Sequence, residues 1–498
     1  MEYFYKGIFK KAAAIILTTI IITQFLVIKA EDNSSSSQGY LQSIMEMIQD
    51  KYKSDVSDKQ LIDGAIKGMF STMDPYTVFY TKDEAQSFFS TLEGAFDGIG
   101  IEVTKSSGLI FISDVIDTSP AAKAGIRTGD VIKAINGTST SGMTMEKAAS
   151  LIGGEKGTSV KLGILRENNK KTLQFSIKRD EVIINPVTCQ IKDNIGYIKI
   201  DIFNSNTEDG FSEAIEKLKD NNITKVILDL RGNPGGDVYQ AAAVARYFVP
   251  KGVIASIDFK SESLQDVEIN SELDKPRYKL ALLVDGQSAS ASEIIAGAVK
   301  DTGCGVVIGS KTFGKAKVQN VFPVLTPEAY VKYSSQLGIG IADGYELYRK
   351  YGITPAEDEI AGYAKITTGL YYTPKGRMID GIGILPDIRI SDPVYRDTIE
   401  ISRLAALQGI KPLKAGSVGS EVLCAEKLLE VMGYMKGTPD VVYDIETVKA
   451  VRKFQLTQKI KADGIIGPVT RKLINRNMDK AILKYDSQYS KALGELAG

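Results

Sequence analysis

The chain has 498 residues, no histidine, and 61 Lys+Arg against 61 Asp+Glu. That length exceeds one hydrophobic core and implies three or four domains. The missing histidine excludes a Ser-His-Asp triad, the lack of a basic aromatic-laced stripe excludes a nucleic-acid partner, and three scattered cysteines (Cys189, Cys304, Cys424) exclude a CxxC redox or zinc centre and read as small buried residues.

Residues 12–28 form an uncharged run of 17 residues behind Lys6, Lys10 and Lys11. The run is just long enough to span a bilayer. Its basic flank puts the N-terminal side in the cytoplasm and the rest of the chain outside. A cleaved signal peptide is the rival reading, but Ile28 and Lys29 before Ala30 match a small-x-small site poorly. The favoured reading is an uncleaved transmembrane anchor on an extracytoplasmic protein of the cell envelope, with 33–39 as a flexible tether.

Residues 40–92 carry apolar residues at helical spacing and predict a helical segment that packs on the core. Residues 93–180 show short alternating strands around SPAAKAGIRTGD (119–130), preceded by Gly98-Ile99-Gly100-Ile101. This region resembles a PDZ domain. The resemblance implies that the backbone N–H groups of Gly98, Ile99, Gly100 and Ile101 receive a chain's C-terminal carboxylate, and that the next strand pairs with the extended tail. Glycine there lets bare backbone face the anion. Arg166 ends a predicted strand and is either a sensor of the bound tail or a solvated strand end.

Residues 183–395 alternate strands and helices, the rhythm of an α/β core. In DLRGNPGG (229–236), Pro234 and the glycines force a tight turn that projects backbone amides into a crevice. Ser290 sits where a predicted strand (280–285) gives way to a helix (about 291–300). Lys315 follows 25 residues later and Gln319 four after that. Without histidine, a serine nucleophile needs another general base, and lysine is the known substitute. Its amine works near neutral pH only when desolvated or close to positive charge. If 315–319 is extended, Lys315, Lys317 and Gln319 share one face. Gln319 would then hold the Lys315 amine, and Lys317 would help depress its pKa. The bland alternative makes Ser290-x-x-Glu293 a capping box and Lys315 a solvated loop residue. The SASAS run (288–292) at a helix start, with N–H groups and a positive dipole end aimed at an oxyanion, favours chemistry. Asp301, at the far end of that helix, calls for a cationic partner and reads as structural support.

Several motifs in a fixed order carry a family resemblance: STMDPYT (71–77), DGIGIEV (97–103), SPAAKAGIRTGDVI (119–132), ILDLRGNPGG (227–236), SASASEI (288–294), TFGKAKVQ (312–319), YYTPKG (371–376) and GIGILPD (381–387). Over residues 40–395 the chain resembles the C-terminal processing peptidases, or tail-specific proteases. The resemblance implies a serine endopeptidase with Ser290 as nucleophile, Lys315 as general base and Gln319 orienting it. It implies an oxyanion hole from the Ala291 amide and that of Gly235 or Gly236. It requires no metal or other cofactor, takes protein substrates with accessible C-termini, and allows a homodimer through the N-terminal helices. Two departures stand out. Ala316 and Lys317 occupy positions where the family has Gly and a small or polar residue, and Ala316 would be strained if that position needs φ > 0. Residues 326–362 are a partly helical insertion, either a surface excursion or a lid or partner surface.

Residues 408–477 change character. Leu413, Val422, Leu428 and Leu429, then Thr447, Ala450, Phe454 and Gln455, then Asp463-Gly464-Ile465-Ile466-Gly467, resemble a small helical peptidoglycan-binding domain. Glu426 stands where that family more often has Gln. From 408 to 498 there are 15 Lys+Arg and 10 Asp+Glu, a net +5 that suits anionic wall polymers. The expected fold class is multidomain α/β and α+β. Its parts are the membrane anchor, the helical segment, the PDZ β-barrel-like domain (93–180), the α/β serine peptidase core (183–395) and an all-α wall-binding domain (408–477). Two rivals remain: a proteolytically dead scaffold, and a wall hydrolase, for which the core lacks a zinc set or paired carboxylates. The core motifs end by Asp387, so cutting the chain near Gln408 is expected to spare the chemistry.

Overall fold

The computed structural model describes residues 39–391, apart from 107, 117 and 167–171, together with 406, 407 and 412–498. The expected anchor (12–28), the tether before Gly39 and the Asp392-Pro393 connection lie outside these residues. Among the described residues no helix is long and apolar enough to cross a membrane. The chain forms two compact units, one joining residues up to Thr81 with Val321–Thr367, the other joining Lys82–Asn320 with Thr368–Gly498. The expected helical segment 40–92 therefore does not stay together.

In the first unit, residues 39–51 and Asp58–Ser71 are helices. The second starts at a capping box, in which the Gln60 amide donates to Ser57 Oγ (3.3 Å) and the Ser57 amide to Gln60 Oε1 (2.9 Å). No residue of Asp58–Ser71 is fully buried. Val78–Thr81 pairs antiparallel with residues 362–365. The insertion folds as two helices, Pro327–Leu337 and Gly344–Tyr351, around a small core of Leu325, Ala329, Tyr333 and Leu347.

The second unit is built on a six-stranded sheet in the order 187–192, 195–200, 225–229, 279–284, 305–309, 388–389. The first pair is antiparallel and the rest are parallel. Side chains alternate along each strand, so every strand serves two faces. Ile198, Val226, Leu228, Leu280 and Leu282 pack against the helices Thr207–Asp220, Val238–Ala245 and Ala291–Thr302. Ile195, Ile227, Ala281, Leu283 and Ile308 point the other way. The helix Ser487–Ala497 covers that second face and buries Ala492 and Leu496 completely. Sequence reading ended the C-terminal domain at 477 and missed this return. The chain leaves the core, builds the small helical domain, and comes back to finish the sheet's second layer. The signal was available: Tyr489, Ala492, Leu493 and Leu496 recur at helical spacing.

Two further bodies complete this unit. Residues 101–178 form an antiparallel sheet around Ile110, Ile112, Ile132, Ile135, Leu162 and Ile164. The helices Ser420–Val431, Ile445–Thr457 and Pro468–Tyr485 pack around Leu428, Tyr443, Phe454 and Ile466. The two bodies meet through Phe111, Val131 and Val441. At that contact Gly129 (φ +84) lies so near Ser420 that a Cβ would come within 2.1 Å of the Ser420 amide nitrogen. The three cysteines form no disulfide and are half-buried against these cores rather than fully buried.

Candidate active site

Ser290 occupies the junction between the strand Lys279–Val284 and the helix Ala291–Thr302. It is 9 % exposed and adopts φ +55°, ψ −115°, a conformation serine rarely takes. Its hydroxyl makes no helix-capping hydrogen bond. Only the reverse half of the capping box forms, with the Ser290 amide donating to Glu293 Oε2 at 2.9 Å. The bland reading thus accounts for Glu293 but leaves the Ser290 hydroxyl uncommitted to capping.

Glu293 is fully buried, and its carboxylate gathers four donors. Besides Ser290 N–H, it accepts from Lys315 N–H (2.8 Å, the same Oε2), Gly314 N–H (2.7 Å) and Thr312 Oγ1 (2.5 Å). One carboxylate oxygen therefore holds the Ser290 and Lys315 main chains side by side. Burial pushes the Glu293 carboxyl above its usual range, against the pull of these four donors. The Tyr371 hydroxyl lies 3.0 Å from Ser290 O and 2.7 Å from Lys315 O. Tyr371 is buried, which lifts its phenol well above the usual value and keeps it a neutral donor. Sequence reading quoted Glu293 only as a helix cap and Tyr371 only as part of a motif. Their roles depend on contacts 22 and 81 residues away in the chain.

The loop before Lys315 is shaped by glycine at another position than expected. Gly314 carries φ +91, and a Cβ there would meet Gly383 N at 2.8 Å. Ala316 is absent from the positive-φ residues and fits fully buried. Its N–H donates to Asp380 (3.1 Å) and its carbonyl accepts from Tyr371 N–H (2.9 Å). The anticipated strain at Ala316 does not arise. The strand begins at Lys317, so Lys315 belongs to the loop ahead of it. The Lys317 ammonium lies 4.0 Å from the Asp380 carboxylate, which offsets its charge. The half-buried Gln319 donates to Lys317 O at 3.1 Å.

The glycine turn lies against Ser290. Gly235 (φ +103) is so close that a Cβ would fall 2.8 Å from Ser290 Cβ and 3.0 Å from Ala291 N. Its amide donates to Asn233 Oδ1 at 2.8 Å. Among the described residues, the amides of Gly236 and Ala291 donate to no protein acceptor. The turn is pinned from several sides. Gly232 N–H donates to Asp285, Asn233 Nδ2 to Ile200 O, and Ala289 N–H to Asn233 O. Asp301 pairs with Arg377 and accepts from Lys375 N–H, as its helix-end position suggested.

In the 93–180 region, Gly98 ends a strand, Ile99 is buried in the core, and Gly100 (φ +75) touches Ser119 where no Cβ would fit. Ile101 opens the strand Ile101–Ser106, an edge of its sheet, with the helix Met145–Ile152 beside it. Arg166 is neither solvated nor free. Its guanidinium makes a two-pronged pair with buried Asp130 (both 2.7 Å) and donates to Gly125 O. Among the described residues no group of His, Cys, Asp and Glu could hold a metal ion.

Comparison with known proteins agrees with this anatomy. Residues 194–390 match peptidase family S41, 111–166 a PDZ domain, 418–474 a putative peptidoglycan binding domain, and 23–84 the N-terminal domain of an activating protease. The chain is 33 % identical to the carboxy-terminal processing protease CtpA of Bacillus subtilis, over 94 % of this chain and 92 % of that one. It is 31 % identical to CtpB of the same organism, over 94 % and 91 %. A carboxy-terminal-processing protease of Bartonella bacilliformis is 32 % identical over 74 % and 79 %. With a PDZ domain and a peptidoglycan-binding-type domain around an S41 core, the chain belongs to the carboxy-terminal processing serine proteases.

Proposed function

We propose that the protein is an extracytoplasmic endopeptidase that works through a Ser290–Lys315 dyad on proteins selected by their C-terminal tails. The observation that carries this reading is the Glu293 carboxylate, which binds the Ser290 and Lys315 amides through one oxygen. In the proposed cycle, neutral Lys315 takes the Ser290 proton as Oγ attacks the scissile carbonyl. The Ala291 and Gly236 amides hold the oxyanion, a choice favoured over Gly235 because the Gly235 amide already serves Asn233. Lys315 then protonates the leaving amine, and water repeats the sequence on the acyl-enzyme. Gln319 orients the lysine through its half-buried strand position. The substrate tail adds to the edge strand Ile101–Ser106 while its carboxylate meets the backbone of Gly98, Ile99, Gly100 and Ile101.

Residues 12–28 anchor the chain in the membrane, with the protease outside, and the 418–474 domain attaches it to peptidoglycan. The apolar run, its basic flank and the net positive C-terminal region support this placement. The dyad is tested by Ser290→Ala, Lys315→Ala and Lys315→Arg, each expected to be folded and inactive on unfolded casein. Arginine fails because a guanidinium stays protonated. A Lys315→Ala protein with near-normal turnover overturns the assignment. The wall role predicts that the full chain sediments with purified peptidoglycan, and a chain that stays in the supernatant at low and moderate salt removes it.

A further inference from the structure

We propose that Asp486, at the start of the C-terminal helix, is a positioning residue for the protease, acting through Arg231 on the glycine turn that presents the oxyanion amides. This rests on the dyad reading above and deepens it. Arg231 lies in the DLRGNPGG motif, one residue before the turn, and its guanidinium is buried on both sides. On one side it grips Asp229 through Nε (2.9 and 3.0 Å) and Nη2 (2.5 Å). On the other, its Nη1 donates to Asp486 (2.9 Å) and to Gln488 (3.3 Å). Arg231, Asp229 and Asp486 side chains are 12 %, 1 % and 5 % exposed, so water replaces none of these contacts. Tyr197 adds a hydrogen bond to Asp229 (2.7 Å), and its ring meets Tyr489 edge-on at 5.7 Å.

Asp486 serves two partners at once. It caps the helix Ser487–Ala497 by accepting from Tyr489 N–H (2.8 Å), and it receives Arg231. Gln488 ties the same helix to the end of the last core strand through Ile390 O (3.1 Å). The helix is thereby locked to the sheet by its polar start and by buried Ala492 and Leu496. Removing the Asp486 carboxylate leaves that face of a buried guanidinium with only the longer, neutral Gln488 contact (3.3 Å), and a buried cation so deprived moves toward water or another acceptor. The backbone that must move with it is Arg231–Gly232, which leads straight into Asn233 and Gly236. An oxyanion donor displaced by a fraction of an ångström stabilises the tetrahedral intermediate less while leaving substrate binding alone.

The test uses the full chain and a quenched peptide substrate with a free C-terminus. Asp486→Ser keeps a helix cap but is too short to reach Arg231. It is expected to lower kcat roughly tenfold, with KM unchanged. Affinity for a peptide boronate, which mimics the tetrahedral adduct, should fall by the same factor. Asp486→Asn keeps an acceptor in place and should recover most of both. Lys491→Ala, on the exposed side of the same helix, should match the parent in both. A folded Asp486→Ser protein with unchanged kcat overturns the proposal, and so does a loss of kcat with undiminished boronate affinity. If Asp486→Ser does not fold, Asp486→Thr, a second cap too short to reach Arg231, decides by the same two readings: equal losses in kcat and boronate affinity support the proposal, and parental values overturn it. A Ser290→Ala control separates the two layers. Activity in Ser290→Ala sinks the dyad, whereas parental kinetics in Asp486→Ser beside a dead Ser290→Ala sink the positioning role alone.

Discussion

Replacing Glu426 by glutamine should abolish a pH dependence built into the small C-terminal domain. Glu426 is 1 % exposed, accepts from Asp440 N–H (2.7 Å) and is hydrogen-bonded by the Thr447 hydroxyl. Burial, with added repulsion from Asp440 and Asp444, pushes its carboxyl from 4.5 up to about 7. The folded domain therefore holds a proton that the unfolded chain releases near pH 4.5. For a carboxyl raised in this way, the stabilisation is complete below pH 4.5. It drains away as pH rises, until the folded carboxyl also ionises near pH 7. A rise from 4.5 to about 7 corresponds to roughly 3–4 kcal/mol at most, at about 1.4 kcal/mol per pH unit. Glutamine keeps an acceptor for Asp440 N–H and ends the titration. Hydrogen exchange of amides within residues 420–470, corrected for intrinsic rates, reads the opening free energy across pH 4.5–8. The parent should lose stability over this range, while Glu426→Gln should stay flat and be the more stable protein at pH 8. Equal pH slopes in the two proteins would refute the reasoning.

Other outcomes follow from the same geometry. Glu293→Gln turns one acceptor oxygen into a donor that faces either the Ser290 and Lys315 amides together or the Gly314 amide and Thr312 hydroxyl, so turnover should drop by about 100-fold or more; a folded variant with parental kcat contradicts the clamp. Leu496→Ala should destabilise the core by about 2–5 kcal/mol, measured as a shift in urea midpoint by circular dichroism, since the side chain is fully buried on the sheet. A chain cut near Gln408 loses that whole helix and uncovers Ile227, Leu283 and Ile308, so it should aggregate or fail to fold; a soluble, active 40–408 protein would show the second sheet face needs no cover. A peptide with an apolar C-terminal residue should bind the full chain better than its amidated twin, and equal binding by calorimetry would remove the carboxylate loop from tail recognition.

The sequence by itself determined what local chemistry and motif order carry. A chain without histidine pointed the search for a base to Lys315, and the glycine turn and the strand-to-helix step at Ser290 were visible as turn and cap signals. The processing-peptidase, PDZ and wall-binding resemblances rested on spacings that survive in linear order. What depended on the fold was every relation between distant segments. Glu293 reads as a cap in sequence because its Ser290 contact is three residues away; its grip on Lys315 exists only once two loops meet. Ala316 looked strained because a conformation was borrowed from glycine, while the positive φ sits at Gly314. The helix Ser487–Ala497 lay beyond the last assigned segment, and its amphipathic spacing says only that a face is buried, not against what. Only the tertiary structure supplies that partner, a sheet face whose alternating side chains had to be covered somewhere, and with it the contact between Asp486 and Arg231, 255 residues apart.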